Sequence, residues 1–136
     1  MVGTGSMDEG TLGSKRIKFM RVTILQPSYL PWLGFFEQMS RSDKFVLLDD
    51  VQYTRRDWRN RNRVRINEGW AWLTVPVLQK NKFAQNLLDT RIDNSLPWRK
   101  KHLQTLRQHY CKAPFFEKYF SRCQKLYEKD WEFLWC

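Results

Sequence analysis

The sequence predicts an α/β domain: an N-terminal βαβ unit with a parallel strand pair, then a β-hairpin, then C-terminal helices. Three observations predict it. Two short apolar runs, RVTILQ (21–26) and KFVLLDD (44–50), flank a segment with helical periodicity. The alternating run RNRVRI (61–66) is followed by Asn67-Glu68-Gly69 and a second strand-like run, the pattern of a hairpin. From Ser95 onward, apolar residues recur at helical spacing.

The first run ends at Pro27 and reads as a strand buried on both faces, as parallel strands are. Pro31 suits the first position of a helix, where a missing N–H leaves no bond unmade. Leu33, Phe36 and Met39 then mark that helix's apolar face, and SRSDK ends it before the second strand. In the hairpin, Arg61, Arg63 and Arg65 share one strand face, with Leu73 to Val77 as the returning strand. A further short strand is expected between Leu87 and Ile92, after the polar stretch LQKNKFAQ. Ser95 is placed to cap the next helix, Pro97 in its first turn, and Leu103, Leu106 and Tyr110 on its apolar stripe. Pro114 separates this from a last helical pattern, Phe116, Phe120, Cys123 and Tyr127. The closing DWEFLWC asks for burial of its aromatics, either against this domain or against a partner, so self-association through the apolar C-terminus is one expectation.

A chain of 136 residues accommodates one domain, and we read residues 1–19 as a flexible leader and 20–136 as a single α/β domain. Hydrophobic residues make up 42% and aromatics 15%, a packing composition. No apolar stretch approaches a membrane span, and the N-terminus lacks the apolar middle of a secretory signal. Three cysteines, Cys111, Cys123 and Cys136, form no CxxC pair; with the missing signal they point to a reduced, cytoplasmic setting. The formal net charge of +10 implies attraction to phosphorylated or polyanionic partners.

Parallel strands end on one edge of their sheet, and ligands of open α/β sheets bind outside that edge. The predicted topology therefore gathers Gln26, Ser28, Tyr29 and Trp32 from the first loop with Asp50, Gln52 and Tyr53 from the second. The aromatics there suit a base or sugar, and Asp50 a hydroxyl or a proton in transit. Arg56, Arg59 and Arg61 would hold a phosphate bidentately, with Asn60 and Asn62 hydrogen-bonding a sugar or base. The same basic and aromatic interleaving also suits nucleic acid. His102 or Asp57 would move a proton; His102 and His109 lie two helical turns apart, too far to share a metal. No P-loop, GxGxxG, GxSxG or HExxH motif is present, no metal set is predicted, and the cofactor is left open.

Taken together, RVTILQPSYLPWLGFFEQM, FVLLDDVQYTRRDWRNRNRV, WLTVPV and RIDNSLPWRKKHLQTLRQHYCKAPFF resemble the WbqC-like family, over about residues 20–116. The resemblance implies a bacterial, cytoplasmic transferase for O-antigen or other surface polysaccharide, passing glycine or another acyl group to a nucleotide-activated sugar. Members run on past this chain's last residue, so a shortened, inactive domain is a further alternative, beside the basic nucleic-acid-binding module. WLGF (32–35) also stands where HxGH nucleotidyltransferases carry their motif. Gly34 matches and the histidines do not, which implies a similar fold without that chemistry.

Overall fold

A computed structural model describes residues 19–79 and 85–135. In chain order the elements are β1 (Val22–Leu25), α1 (Leu33–Arg41), β2 (Lys44–Leu47), β3 (Arg61–Ile66), β4 (Gly69–Thr74), α2 (Trp98–Tyr110) and α3 (Phe116–Glu128). As the two apolar runs predict, β1 and β2 pair in parallel, with Val22 opposite Lys44 and Leu25 opposite Leu47, and α1 makes the crossover. The hairpin β3–β4 is antiparallel, with Arg63 opposite Trp72, and Gly69 takes the positive φ of 104° that its turn needs. Its second strand begins at Gly69, four residues earlier than expected, which puts Trp70 and Trp72 in the ladder beside the arginines.

Three local expectations are corrected. Pro31 lies before the N-cap, Trp32, so α1 starts two residues later than its proline suggested. Ser95 bonds back to the Asp93 carboxylate by both its amide and its hydroxyl, and Pro97 occupies the N-cap of α2 without a side-chain cap. The expected strand at 87–92 is reduced to isolated bridges, Val77 with Ile92 and Arg91 with Phe133.

The largest correction concerns the parallel pair. Only the face toward α1 is covered, where Phe35 meets Phe45 edge-on at 5.3 Å between centroids. On the other face Val22, Ile24 and Val46 are exposed, Ile24 to 57%, so the strands are not buried on both sides among the described residues. The helix follows the same rule: it buries Gly34 and Phe35, while Leu33, Phe36 and Met39 face outward, Leu33 at 87% exposure. One residue of rotation separates the predicted stripe from the buried one, because Phe45 selects Phe35 as its partner.

The main core sits elsewhere. Val75, Ile92, Trp98 and Tyr127 form it, with Leu103 and Leu106 of α2 packed against it as their stripe predicted. Each such side chain contributes roughly 1.5–3 kcal/mol when fully buried. The C-terminal segment returns to this core. The Glu132 carbonyl accepts from the Ile92 amide at 2.8 Å, and the Leu134 amide donates to the Thr90 carbonyl at 2.8 Å. Trp131 and Leu134 pack on the core, and the Trp135 indole donates to Asp49 Oδ2 at 3.1 Å. No described helix is long and apolar enough to cross a membrane.

Candidate functional site

The loop after β1 is held at its centre, from two sides. The Tyr29 amide donates to the Trp58 carbonyl at 3.0 Å, and the Asn62 side-chain amide donates to the carbonyls of Tyr29 and Leu30. Leu30 takes a φ of 46°, a left-handed conformation that a branched side chain resists. That strain persists because the two clamps determine the loop. The clamp also explains the proline-rich sequence at the join, since the loop must aim the Tyr29 side chain inward beneath α2.

Inside, Tyr29 meets His102 and Tyr127. The Tyr29 hydroxyl lies 2.8 Å from His102 Nδ1, and the Tyr127 hydroxyl is hydrogen-bonded to that of Tyr29. The Thr74 backbone carbonyl favours a proton on His102. Burial drives the His102 pKa down to about 4; the Thr74 carbonyl opposes this and Lys101 adds to it. Burial likewise raises both tyrosines, so all three groups are neutral near pH 7.

A cavity of about 170 Å³ opens at the carboxyl end of β1, lined by Pro27, Ser28, Tyr29, Arg59, Leu134 and Trp135 among others. Arg59 is an unusual resident: its side chain is 15% exposed and ion-paired with Asp57, yet its Nε is buried without a partner among the described residues. A second cavity, of about 270 Å³, shares Tyr29, Leu30, Leu134 and Trp135 with the first and extends toward Trp98 and Leu126.

Of the residues singled out from sequence, the structure brings Ser28, Tyr29, Asp57, Arg59 and His102 together in or beside these cavities. Gln26 is the first residue after β1. Asn60 is buried and ties its backbone and side chain to Val75, a scaffold position, and Asn62 is the loop clamp. Tyr53 is buried in the packing near Gln79, its hydroxyl pKa raised by burial. Asp50 and Gln52 lie apart, in a shallow polar depression with Gln85 and Asn86. Trp32 is exposed with its ring folded over Gly34, and Arg56 is exposed with a φ of 55°. Arg61 belongs to the outer face of the hairpin, its guanidinium 4.2 Å from the Trp72 ring centroid.

Sequence reasoning missed three features. Tyr127 read as a core position, and its hydroxyl partner lies 98 residues away. Asp49, rather than its neighbour, faces the cavity wall through Trp135. The tryptophans of the hairpin had the clearest signal, because Trp70 and Trp72 alternate in register with Arg65 and Arg63. No group of three or more His, Cys, Asp or Glu that could hold a metal occurs among the described residues.

These features define an α/β protein with a small cavity at the carboxyl end of the first strand of a parallel pair. The sequence agrees with a known class: residues 26–136 match the model of the WbqC-like protein family, and the chain belongs to that family. It is also 44% identical over 96 residues to the uncharacterized protein Rv1507c of Mycobacterium tuberculosis, a match covering 71% of this chain and 41% of that protein. The match thus spans less than half of that relative's length. No solved structure matches the chain.

Proposed function

We propose that the chain binds a phosphorylated ligand in the cavity at the end of β1, and that the ligand is a nucleotide-activated sugar receiving an acyl group. The single observation that supports this is Arg59, a confined guanidinium with a free Nε, beside the Ser28 hydroxyl and the Tyr29 ring. A planar guanidinium held by Asp57 is pre-organised for two phosphate oxygens. In the transfer, the bond between the acyl carbonyl and its activated carrier breaks, and an amide or ester forms to the sugar's amine or hydroxyl. The proton lost by that nucleophile passes to the departing carrier. Asp57 stands closest to Arg59 for such a proton, while His102 reaches the cavity only through Tyr29.

The test is isothermal titration with UDP, dTDP, GDP and CMP sugars on the wild type and Arg59→Ala. Binding of one nucleotide class that weakens at least tenfold in the variant, with the fold intact by circular dichroism, is expected. Equal affinity in both proteins would remove Arg59 from the site.

A second reading rests on a different surface. On the outer face of β3–β4, Arg61 and Arg63 interleave with Trp58, Trp70 and Trp72; the Arg63 guanidinium lies 4.9 Å from the Trp70 centroid. All three indoles are exposed there. Such a face suits single-stranded nucleic acid, through phosphate contacts and base stacking. Oligonucleotide binding that grows with length and collapses between low and moderate salt would favour this reading.

A further inference from the structure

The larger cavity has a chemical character that the acyl-transfer reading does not specify. Its walls are Val75 and Ile92 of the core, Trp98 of α2, Leu126 and Tyr127 of α3, and the returning C-terminal segment. Five of its side chains carry a polar hydrogen, and every one is already hydrogen-bonded within the protein. The Trp98 indole donates to Asn94 Oδ1 at 3.3 Å, Trp131 to the Leu126 carbonyl at 2.7 Å, and Trp135 to Asp49 at 3.1 Å. The Tyr127 and Tyr29 hydroxyls are engaged with each other and with His102.

A polar guest would therefore leave water without new partners. A nucleobase, a sugar or the ammonium of a glycyl group would each strip several hydrogen bonds that this lining does not replace. A hydrocarbon loses nothing by entering. The volume sets its size: an apolar cavity of about 150 Å³ admits benzene, so 270 Å³ has room for about ten carbons. The Arg59 cavity adjoins it across Tyr29, Leu30, Leu134 and Trp135, so a chain seated here has an anion contact next to its polar end.

We propose that this cavity holds a linear hydrocarbon chain of about ten carbons, the apolar part of a ligand whose anionic end lies at Arg59. The inference rests on the reading of Arg59 as the anion contact, and it concerns a ligand that carries its hydrocarbon chain and the anion at Arg59 on one molecule. The chemistry is shared by fatty acyl and isoprenoid chains.

The test uses the full chain and a series of n-alkyl phosphates from butyl to dodecyl, below their micelle concentrations, followed by tryptophan fluorescence and calorimetry. Inorganic phosphate, UMP, glycinamide and decanol are the comparison probes. Affinity should rise about two- to fourfold per methylene, as burial of each predicts, and level off near ten carbons. Geranyl phosphate, with ten carbons in a branched chain, separates an isoprenoid from a fatty chain by which of the two C10 phosphates binds tighter. Leu126→Trp, made at an exposed position on the rim, should fill the cavity and weaken decyl phosphate at least tenfold, with inorganic phosphate unaffected. The length series in the wild type stands independently of how that variant folds. Affinity flat with chain length, or UMP or glycinamide binding tighter than decyl phosphate, would overturn the proposal. The two readings fail separately. Length-dependent alkyl phosphate binding that ignores Arg59→Ala would sink the anion contact and keep the hydrocarbon site. Phosphate binding that needs Arg59 and ignores the chain would do the reverse.

Discussion

Acidification should weaken this fold through one ring. His102 is 3% exposed, and burial lowers its pKa from 6.5 to about 4, with Lys101 adding to the effect and the Thr74 carbonyl opposing it. Between those two values the unfolded chain holds a proton that the folded chain refuses, so stability falls as the pH drops. The contribution of the neutral ring is complete above about pH 6.5 and is lost as the pH falls toward 4. The whole span corresponds to about 3 kcal/mol; partial access of water to the ring reduces the expectation to about 2 kcal/mol. For a chain of this size that is about 8 °C in Tm. Urea unfolding of the wild type and of His102→Gln at pH 7, 6, 5 and 4.5 isolates the term, because the carboxylates contribute alike to both. The glutamine variant starts lower at pH 7, having lost its bond to Tyr29, and its curve should be flatter by most of those 2 kcal/mol. Parallel curves would refute the reasoning and mean that the folded ring takes up its proton near the ordinary histidine pKa.

Tyr127→Phe deletes one hydroxyl from the buried chain and leaves Tyr29 bonded to His102, so a loss of about 1 kcal/mol by urea unfolding is expected. Asn62→Ala frees the carbonyls of Tyr29 and Leu30 and the strained loop with them; we expect a loss of about 1–2 kcal/mol and faster amide exchange at residues 29–30. Ile24→Lys with Val46→Lys changes two side chains that already face outward, so stability should stay within about 0.5 kcal/mol while concentration-dependent association, by sedimentation velocity, declines.

The sequence was most legible where local chemistry decides the outcome. The parallel pair followed from two β-branched runs separated by a helix, and the hairpin from an alternating strand and a glycine that takes positive φ. Capping was less legible. Ser95 has the right side chain for an N-cap, but Asp93, two residues earlier, bonds its amide and hydroxyl first. The site divided in a similar way. Ser28 and Tyr29 stand at the end of β1, as the strand topology predicts, whereas Arg59 reaches them through the backbone bond of Tyr29 to the Trp58 carbonyl rather than from the end of β2. The hydroxyl of Tyr127 and the indole of Trp135 arrive from α3 and the C-terminal return, across 98 and 86 residues, and nothing local announces either.

The parallel pair shows why composition and location are separate kinds of information. Val22, Ile24, Val46 and Leu48 have the character of a sheet covered on both faces, yet among the described residues α1 covers only the other side. On α1 the apolar residues Leu33, Phe36 and Met39 lie outward for a related reason. Phe35 alone reaches Phe45, and a helix can turn only one stripe toward a given sheet. Both surfaces were read correctly as apolar and wrongly as buried. The Arg59 cavity does not depend on either of them. Its position comes from the β1 end, the Asn62 clamp and the C-terminal return, with Tyr29 and Leu134 of its lining packed on the core of Val75, Ile92 and Trp98. A bare strand face therefore leaves the Arg59 site assembled, and a change confined to that face should alter association without altering ligand affinity.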